Sequence, residues 1–163
     1  MTLPRRFLLV TLALTSLALA QKKYTGPRPP KPDLPYLLHA SNLVETETGE
    51  AREEKRKDEV ANVMRGTSSP ARTPLAEPIF ILQTEKLQAE RIELYKVAVK
   101  NGNREVVIPS AGKRRRDGPR PLRLSVSRLE GSLYRIEANQ WLDNGEYCLS
   151  PSGSQQVFCF QVY

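Results

Sequence analysis

The C-terminal half of the chain, 78–163, repeatedly alternates apolar and polar residues, a pattern typical of β-strands with one buried face. Leu122, Leu124 and Val126 alternate with polar residues, and a second alternating run follows at 134–138. Turn-forming residues separate these runs about every 8–12 residues. The pattern predicts about seven to nine short strands in an all-β sandwich or barrel.

Asn101-Gly102 marks the clearest hairpin in this half of the chain. An Asn-Gly pair favours a type I′ turn, because both central residues of that turn need a positive φ. Runs rich in β-forming residues flank the pair at 92–99 and 106–108. We expect these two runs to pair as antiparallel strands.

Asp143, Gly145 and Tyr147 form an Asp-x-Gly-x-Tyr pattern, with Leu142 directly ahead of it. The pattern resembles the tyrosine corner of immunoglobulin-like domains, in which a Tyr hydroxyl bonds to an upstream backbone group. The resemblance covers about eight residues directly and about 85 by strand pattern. It implies an all-β, immunoglobulin-like antiparallel β-sandwich with a proline-rich N-terminal extension. An ordinary polar turn followed by a strand remains the alternative.

This resemblance implies a fold but no activity, because immunoglobulin-like sandwiches host many unrelated functions. As a whole, the chain also resembles small exported bacterial proteins of unassigned role. Neither resemblance implies a ligand.

Cys148 and Cys159 fall on one face of a predicted C-terminal hairpin centred on Gly153-Ser154. In this register the two cysteines lie opposite each other, and the apolar side chains of 147–162 share the other face. Immunoglobulin domains place a Cys two residues after the corner Tyr, facing the core. Here Cys148 follows Tyr147 directly and therefore points away from the core. We predict a disulfide, which would stabilise the fold by roughly 2–3 kcal/mol.

The first 20 residues predict a secretory signal peptide. Arg5 and Arg6 precede an uncharged, mostly apolar run, and Ala18-Leu19-Ala20 is a small-x-small cleavage site. The run is too short to span a membrane, which takes about 20 apolar residues. We therefore expect an exported protein, periplasmic or extracellular, with no transmembrane segment after signal cleavage.

Two segments precede the predicted β-sandwich body at 78–163. Residues 21–35 form a basic tail with five prolines, which favours an extended semi-rigid spacer. Residues 36–77 hold a charged segment and a connector that we expect to contribute one or two strands. The charged stretch at 45–59 has no continuous apolar stripe. A solvated helix and a loop between strands both stay open for this stretch.

Net charge argues against a dedicated nucleic-acid binder. The predicted signal peptide carries two of the 25 Lys and Arg and none of the 18 Asp and Glu, which leaves the mature chain at +5. This mixed, mildly basic balance lacks the strong one-sided excess of such binders. We therefore expect no nucleic acid as a partner.

One dense basic cluster comprises Lys113, Arg114, Arg115, Arg116 and Arg120. The cluster is predicted to lie on a loop between strands. A solvated loop is one interpretation. Contact with an anionic surface, such as an envelope polymer, lipid headgroups or an envelope protein, is the other.

The sequence nominates no catalytic residue, metal site or cofactor. It has one histidine, His39, and lacks the nucleophile-elbow, phosphate-loop, zinc-protease and calcium-loop motifs. The leading hypothesis is an exported, non-catalytic binding or structural module of the cell envelope. Two alternatives stay open: a secreted hydrolase whose carboxylate pair is assembled in three dimensions, and a strand-exchanging pilus- or adhesin-type subunit.

Overall fold

The computed structural model describes residues 23–109 and 118–163. The predicted signal peptide and the basic residues 113–116 lie outside the described residues. The described chain is all-β, as the sequence predicted. It contains thirteen strands and one short 3₁₀ turn, and no α-helix occurs within these two ranges.

The strands follow the alternating pattern closely in the C-terminal half. Asn101 and Gly102 have φ values of 51° and 76°, so the predicted hairpin between the runs at 92–99 and 106–108 is confirmed. In chain order the strands are β1 Tyr36–His39, β2 Asn42–Glu45, β3 Glu47–Glu50, β4 Arg52–Lys55, β5 Glu59–Arg65, β6 Arg72–Thr73, β7 Ile79–Gln83, β8 Ile92–Lys100, β9 Asn103–Pro109, β10 Leu124–Glu130, β11 Leu133–Ala138, β12 Gly145–Pro151 and β13 Gln156–Val162, with the 3₁₀ turn Ala89–Arg91 before β8.

Two sheets pack against each other. The smaller sheet has the order β10-β11-β7-β1-β2, and the larger has the order β3-β13-β12-β8-β9-β5-β4. All of these neighbours are antiparallel, and the short β6 runs parallel to β13. The main core lies between the sheets, where Phe80 of β7 meets Phe160 of β13 edge to face with ring centroids 5.0 Å apart. Both rings are fully buried, and such a pair contributes about 0.5–1.5 kcal/mol beyond its area burial.

The larger sheet curls until its two ends meet. Its terminal strands, β3 and β4, are separated along the chain only by Ala51. The Ala51 N–H donates to the carbonyl of Gln155 and so extends the pairing of β3 with β13. The curl encloses a second, smaller core on the face turned away from the main one. Its buried members are Ala51, Met64, Val97, Cys148, Val157 and Cys159.

The charged stretch at 45–59 forms strands rather than a helix or a long loop. Successive strand residues point to opposite faces, so charges that are dense in sequence are distributed over two surfaces. Ion pairs also span the strands, with Arg56 Nη2 lying 2.6 Å from Glu105 Oε2 on β9. The segment 36–77 therefore contributes six strands, where the sequence indicated one or two.

The described part of the proline-rich tail is attached to the smaller sheet. The Asp33 carboxylate accepts hydrogen bonds from the three backbone N–H groups of 85–87 at 2.9–3.1 Å. Leu34 is buried beside it. Lys31 donates to Glu45 of β2 at 2.9 Å. These contacts hold the tail against the body, and the chain bends and turns at 30–33 and forms no strand within 23–35.

Candidate functional site

The predicted corner residues form a turn whose tyrosine is buried. Tyr147 is only 1% exposed, and its hydroxyl donates to the Asp143 carbonyl at 2.8 Å. Gly145 has a φ of 156°, and a Cβ there would lie 3.4 Å from Lys96 Cε, so glycine suits this position. Burial raises the pKa of Tyr147, and the nearby charge of Asp143 adds to the effect. The geometry assigns Tyr147 to the core, while the Asp143 side chain remains exposed.

Cys148 and Cys159 lie directly opposite each other, in the register that the sequence predicted. Leu149 pairs with Phe158, and Tyr147 pairs with Phe160, in the same ladder. The two sulfur atoms are 2.00 Å apart, the distance of a disulfide. Both cysteines lie in the smaller core inside the curled sheet.

A buried ion cluster lies beside the disulfide. Arg104 of β9, whose side chain is 1% exposed, donates to both carboxylate oxygens of Glu47 at 2.7 and 2.8 Å and to the Arg65 carbonyl at 2.8 Å. Glu146 Oε2 lies 3.6 Å from Arg104 Nη1 and accepts a hydrogen bond from the Ser69 N–H at 2.9 Å. Arg104 thus links two carboxylates from different strands.

The two carboxylates have opposite pKa shifts. Burial raises the pKa of Glu146, and the Ser69 N–H and the charge of Arg104 offset this only in part. Burial also acts to raise the pKa of Glu47, but hydrogen bonds from Arg104 and Ser69 outweigh it and lower the pKa. In a glycosidase the two carboxyl groups flank the scissile bond, with the substrate between them. Here Arg104 Nη1 contacts both groups, so the arrangement is that of a structural ion cluster.

Two cavities open onto the interior of the curled sheet. The first, of about 410 Å³, is bordered by the paired Arg104 and Glu47. The second, which we call the mouth cavity, has a volume of about 290 Å³ and opens beside the β12–β13 turn. Its apolar walls are Ala51, Met64, Val106, Ile108, Cys148 and Val157.

An exposed apolar surface lies at the opposite end of β12 and β13. Trp141 is 74% exposed, Tyr163 is 52% exposed and Leu75 is 41% exposed. Backbone hydrogen bonds bring their segments together: Leu142 N–H donates to the Ala76 carbonyl at 2.8 Å, and Tyr163 N–H donates to the Thr73 carbonyl at 3.2 Å. We call Leu75, Trp141 and Tyr163 the corner patch.

The predicted basic cluster is described only at Arg120. That residue is exposed in the segment leading into β10, while Lys113, Arg114, Arg115 and Arg116 lie outside the described residues. Their proposed contact with an anionic surface therefore stays a prediction.

The single histidine lies in β1, where its Nε2 is buried without a hydrogen-bond partner among the described residues.

Within 23–109 and 118–163, no three His, Cys, Asp or Glu side chains are grouped so as to hold a metal ion. The same ranges contain no helix long and apolar enough to cross a membrane.

Sequence reasoning missed the corner patch and the mouth cavity. Trp141 precedes the corner motif directly, and a lone tryptophan beside a polar turn is a usable signal for an exposed aromatic. Leu75 and Tyr163 join it only through tertiary hydrogen bonds, which no local pattern reveals. The cavity depends on the curl of the larger sheet, and the strand content of 45–59 was not predicted.

Comparison of the chain with protein-family models, with curated proteins and with solved structures finds no match.

Proposed function

We propose that the protein is an exported, non-catalytic binding module of the cell envelope that docks a partner protein through the corner patch. The observation that carries this proposal is the exposure of Trp141, at 74%, in a segment that backbone hydrogen bonding joins to the segment of the exposed Leu75. Large aromatic residues contribute strongly to protein interfaces because they bury much apolar area at little entropic cost.

The strand order supports an immunoglobulin-like assignment of the sandwich. Such folds place strands A, B, E and D in one sheet and C, F and G in the other. The order β1-β7-β11-β10 in the smaller sheet and β8-β12-β13 in the larger sheet fits this arrangement. The segment containing β2 to β6 is then an insertion between strands A and B. The hydrogen bond from Tyr147 to Asp143 fits the corner before strand F.

Export is supported by two independent features. The apolar leader at 1–20 ends in a small-x-small site. The paired Cys148 and Cys159 are at disulfide distance, and disulfides persist in oxidising compartments. Together these features favour the periplasm or the extracellular space.

The composition of the corner patch favours a protein partner. The Arg72 guanidinium lies 4.2 Å from the Tyr163 ring centroid, so a cation is stacked at the edge of the patch. Tryptophan, tyrosine and arginine are the residue types that most often dominate binding energy at protein interfaces. We therefore expect an apolar protein surface with acidic groups at its rim.

Co-sedimentation with the native envelope fraction tests this proposal. The double variant Leu75→Ser, Trp141→Ser should lose most of the association of the wild-type protein, on the order of tenfold or more. Val99→Ser is the matched control, because Val99 is 53% exposed on β8 and lies outside the patch. Equal sedimentation of the double variant and the wild type would refute docking through the corner patch.

The basic cluster provides the competing hypothesis in the same assay. If an anionic polymer were the partner, replacing Arg114, Arg115 and Arg116 with Ser would remove the association, and salt would weaken it as the Debye length falls from about 10 Å at 0.1 M to about 3 Å at 1 M. Docking through the corner patch predicts that this triple variant sediments like the wild type.

A further inference from the structure

The mouth cavity combines apolar walls with an unsatisfied acceptor. Asn62 of β5 lines the cavity, and its Oδ1 atom is buried without a hydrogen-bond partner among the described residues. Buried amide oxygens nearly always accept at least one hydrogen bond, so an unpaired one calls for an explanation. Met64, Val106 and Val157 form an apolar part of the same lining, and a molecule that enters the cavity can supply the missing donor.

Two of the other polar side chains in the lining already use their donors in hydrogen bonds within the protein. The Tyr95 hydroxyl donates to Glu93 Oε2 at 2.8 Å, and the Ser150 hydroxyl donates to the Gln156 carbonyl at 2.9 Å. Burial and the bond to Glu93 raise the pKa of Tyr95 to about 12, which keeps the hydroxyl protonated and engaged. The negative charge of Glu93 would repel a carboxylate ligand, and the lining residues include no Lys or Arg that could offset this repulsion.

Size and access fit a small ligand. The volume of about 290 Å³ lies near the lower end of ligand pockets, which span roughly 300–1,000 Å³. Ile108 at the rim is 46% exposed and gives the opening an apolar edge. Ligand pockets are mostly apolar, and a few polar groups in them fix the orientation of the ligand. Asn62 is in a position to serve as such a group here.

We infer that the mouth cavity binds a small, uncharged, mainly apolar molecule that carries one hydrogen-bond donor, which bonds to Asn62 Oδ1. The site is separate from the corner patch, because β12 and β13 begin or end at the two sites and run between them. The two sites can therefore be tested independently.

Phenol and toluene are suitable probes, since they have nearly the same shape and differ in the donor. Met64 is a convenient reporter: it lines the cavity, and the chain has only two methionines. We expect both probes to shift the ¹³C-methyl resonance of Met64 saturably in the full chain. Neither probe should change the fluorescence of Trp141 at the corner patch.

The variant Asn62→Leu removes the acceptor and keeps the side-chain size. The affinity ratio of phenol to toluene should fall about fivefold in this variant, the effect of one neutral hydrogen bond. Val99→Leu, outside the cavity, is the control and should leave the ratio unchanged. Sodium benzoate should bind more weakly than phenol.

Three results would overturn the inference. The first is the absence of a saturable Met64 shift with either probe. The second is a phenol-to-toluene affinity ratio that is the same in Asn62→Leu and in the wild type. This result would show that Asn62 accepts no hydrogen bond from the ligand. The third is tighter binding of benzoate than of phenol. If Asn62→Leu does not fold, the first and third measurements still test the inference, because both use the wild-type chain.

Discussion

Replacing Tyr147 with Phe removes one hydroxyl and leaves the ring in place. The hydroxyl is buried and donates to the Asp143 carbonyl at 2.8 Å. The ring stacks on Phe160 with centroids 5.7 Å apart, and this contact survives the change. The net loss of one buried hydrogen bond, with a partly desolvated carbonyl left behind, is about 1–2 kcal/mol in the free energy of unfolding.

Urea denaturation followed by circular dichroism measures this loss. With a slope of about 2 kcal/mol per molar urea, the midpoint should fall by about 0.5–1 M while the slope stays constant. Tyr163→Phe is the control, because Tyr163 is half exposed and its change should cost less than about 0.5 kcal/mol. If Tyr147→Phe unfolds at the wild-type midpoint with the wild-type slope, Tyr147 does not act as a buried corner residue.

Three further predictions concern the curled sheet. Mass spectrometry of the non-reduced protein should find Cys148 linked to Cys159; two free thiols would contradict the pairing. Arg104→Ala should cost about 3–5 kcal/mol in the free energy of unfolding, because it leaves the buried Glu146 without its cation; a loss below about 1 kcal/mol would show that the cluster is solvated. Ion pairs lower the pKa of Glu105 from its ordinary 4.5, so its contribution is present above pH 4.5 and is lost as the pH falls through the lowered value. Glu105→Gln should therefore lose less stability on acidification than the wild type, and identical acid-unfolding curves would refute this.

The C-terminal half was predictable because local pattern and tertiary structure agree there. Asn101-Gly102 specifies its own turn, and the register of 147–160 follows from placing apolar residues on one face. The all-β class follows from the same alternation. The cysteine register needed only a hairpin and a period of two, both of which the sequence supplies.

The stretch at 45–59 was harder to predict because its stability is not local. Its strands have few apolar residues, and they are held by pairing with β5 and β13 and by ion pairs such as Arg56 with Glu105. β5 follows β4 directly, but β13 and Glu105 lie far along the chain, so no local window of sequence shows those contacts. The mouth cavity follows from this pairing, and Asn62 was therefore not among the predicted site residues.

We predict that Trp141 docks against a partner protein of the envelope, and this contact can be followed directly. Trp141 is the only tryptophan in the chain, so labelling with 5-fluorotryptophan gives one ¹⁹F resonance at the corner patch. We predict that the native envelope fraction shifts or broadens this resonance at concentrations that sediment the protein, and that protease treatment of the fraction abolishes the effect. An unchanged resonance while the protein sediments fully would contradict docking through the corner patch.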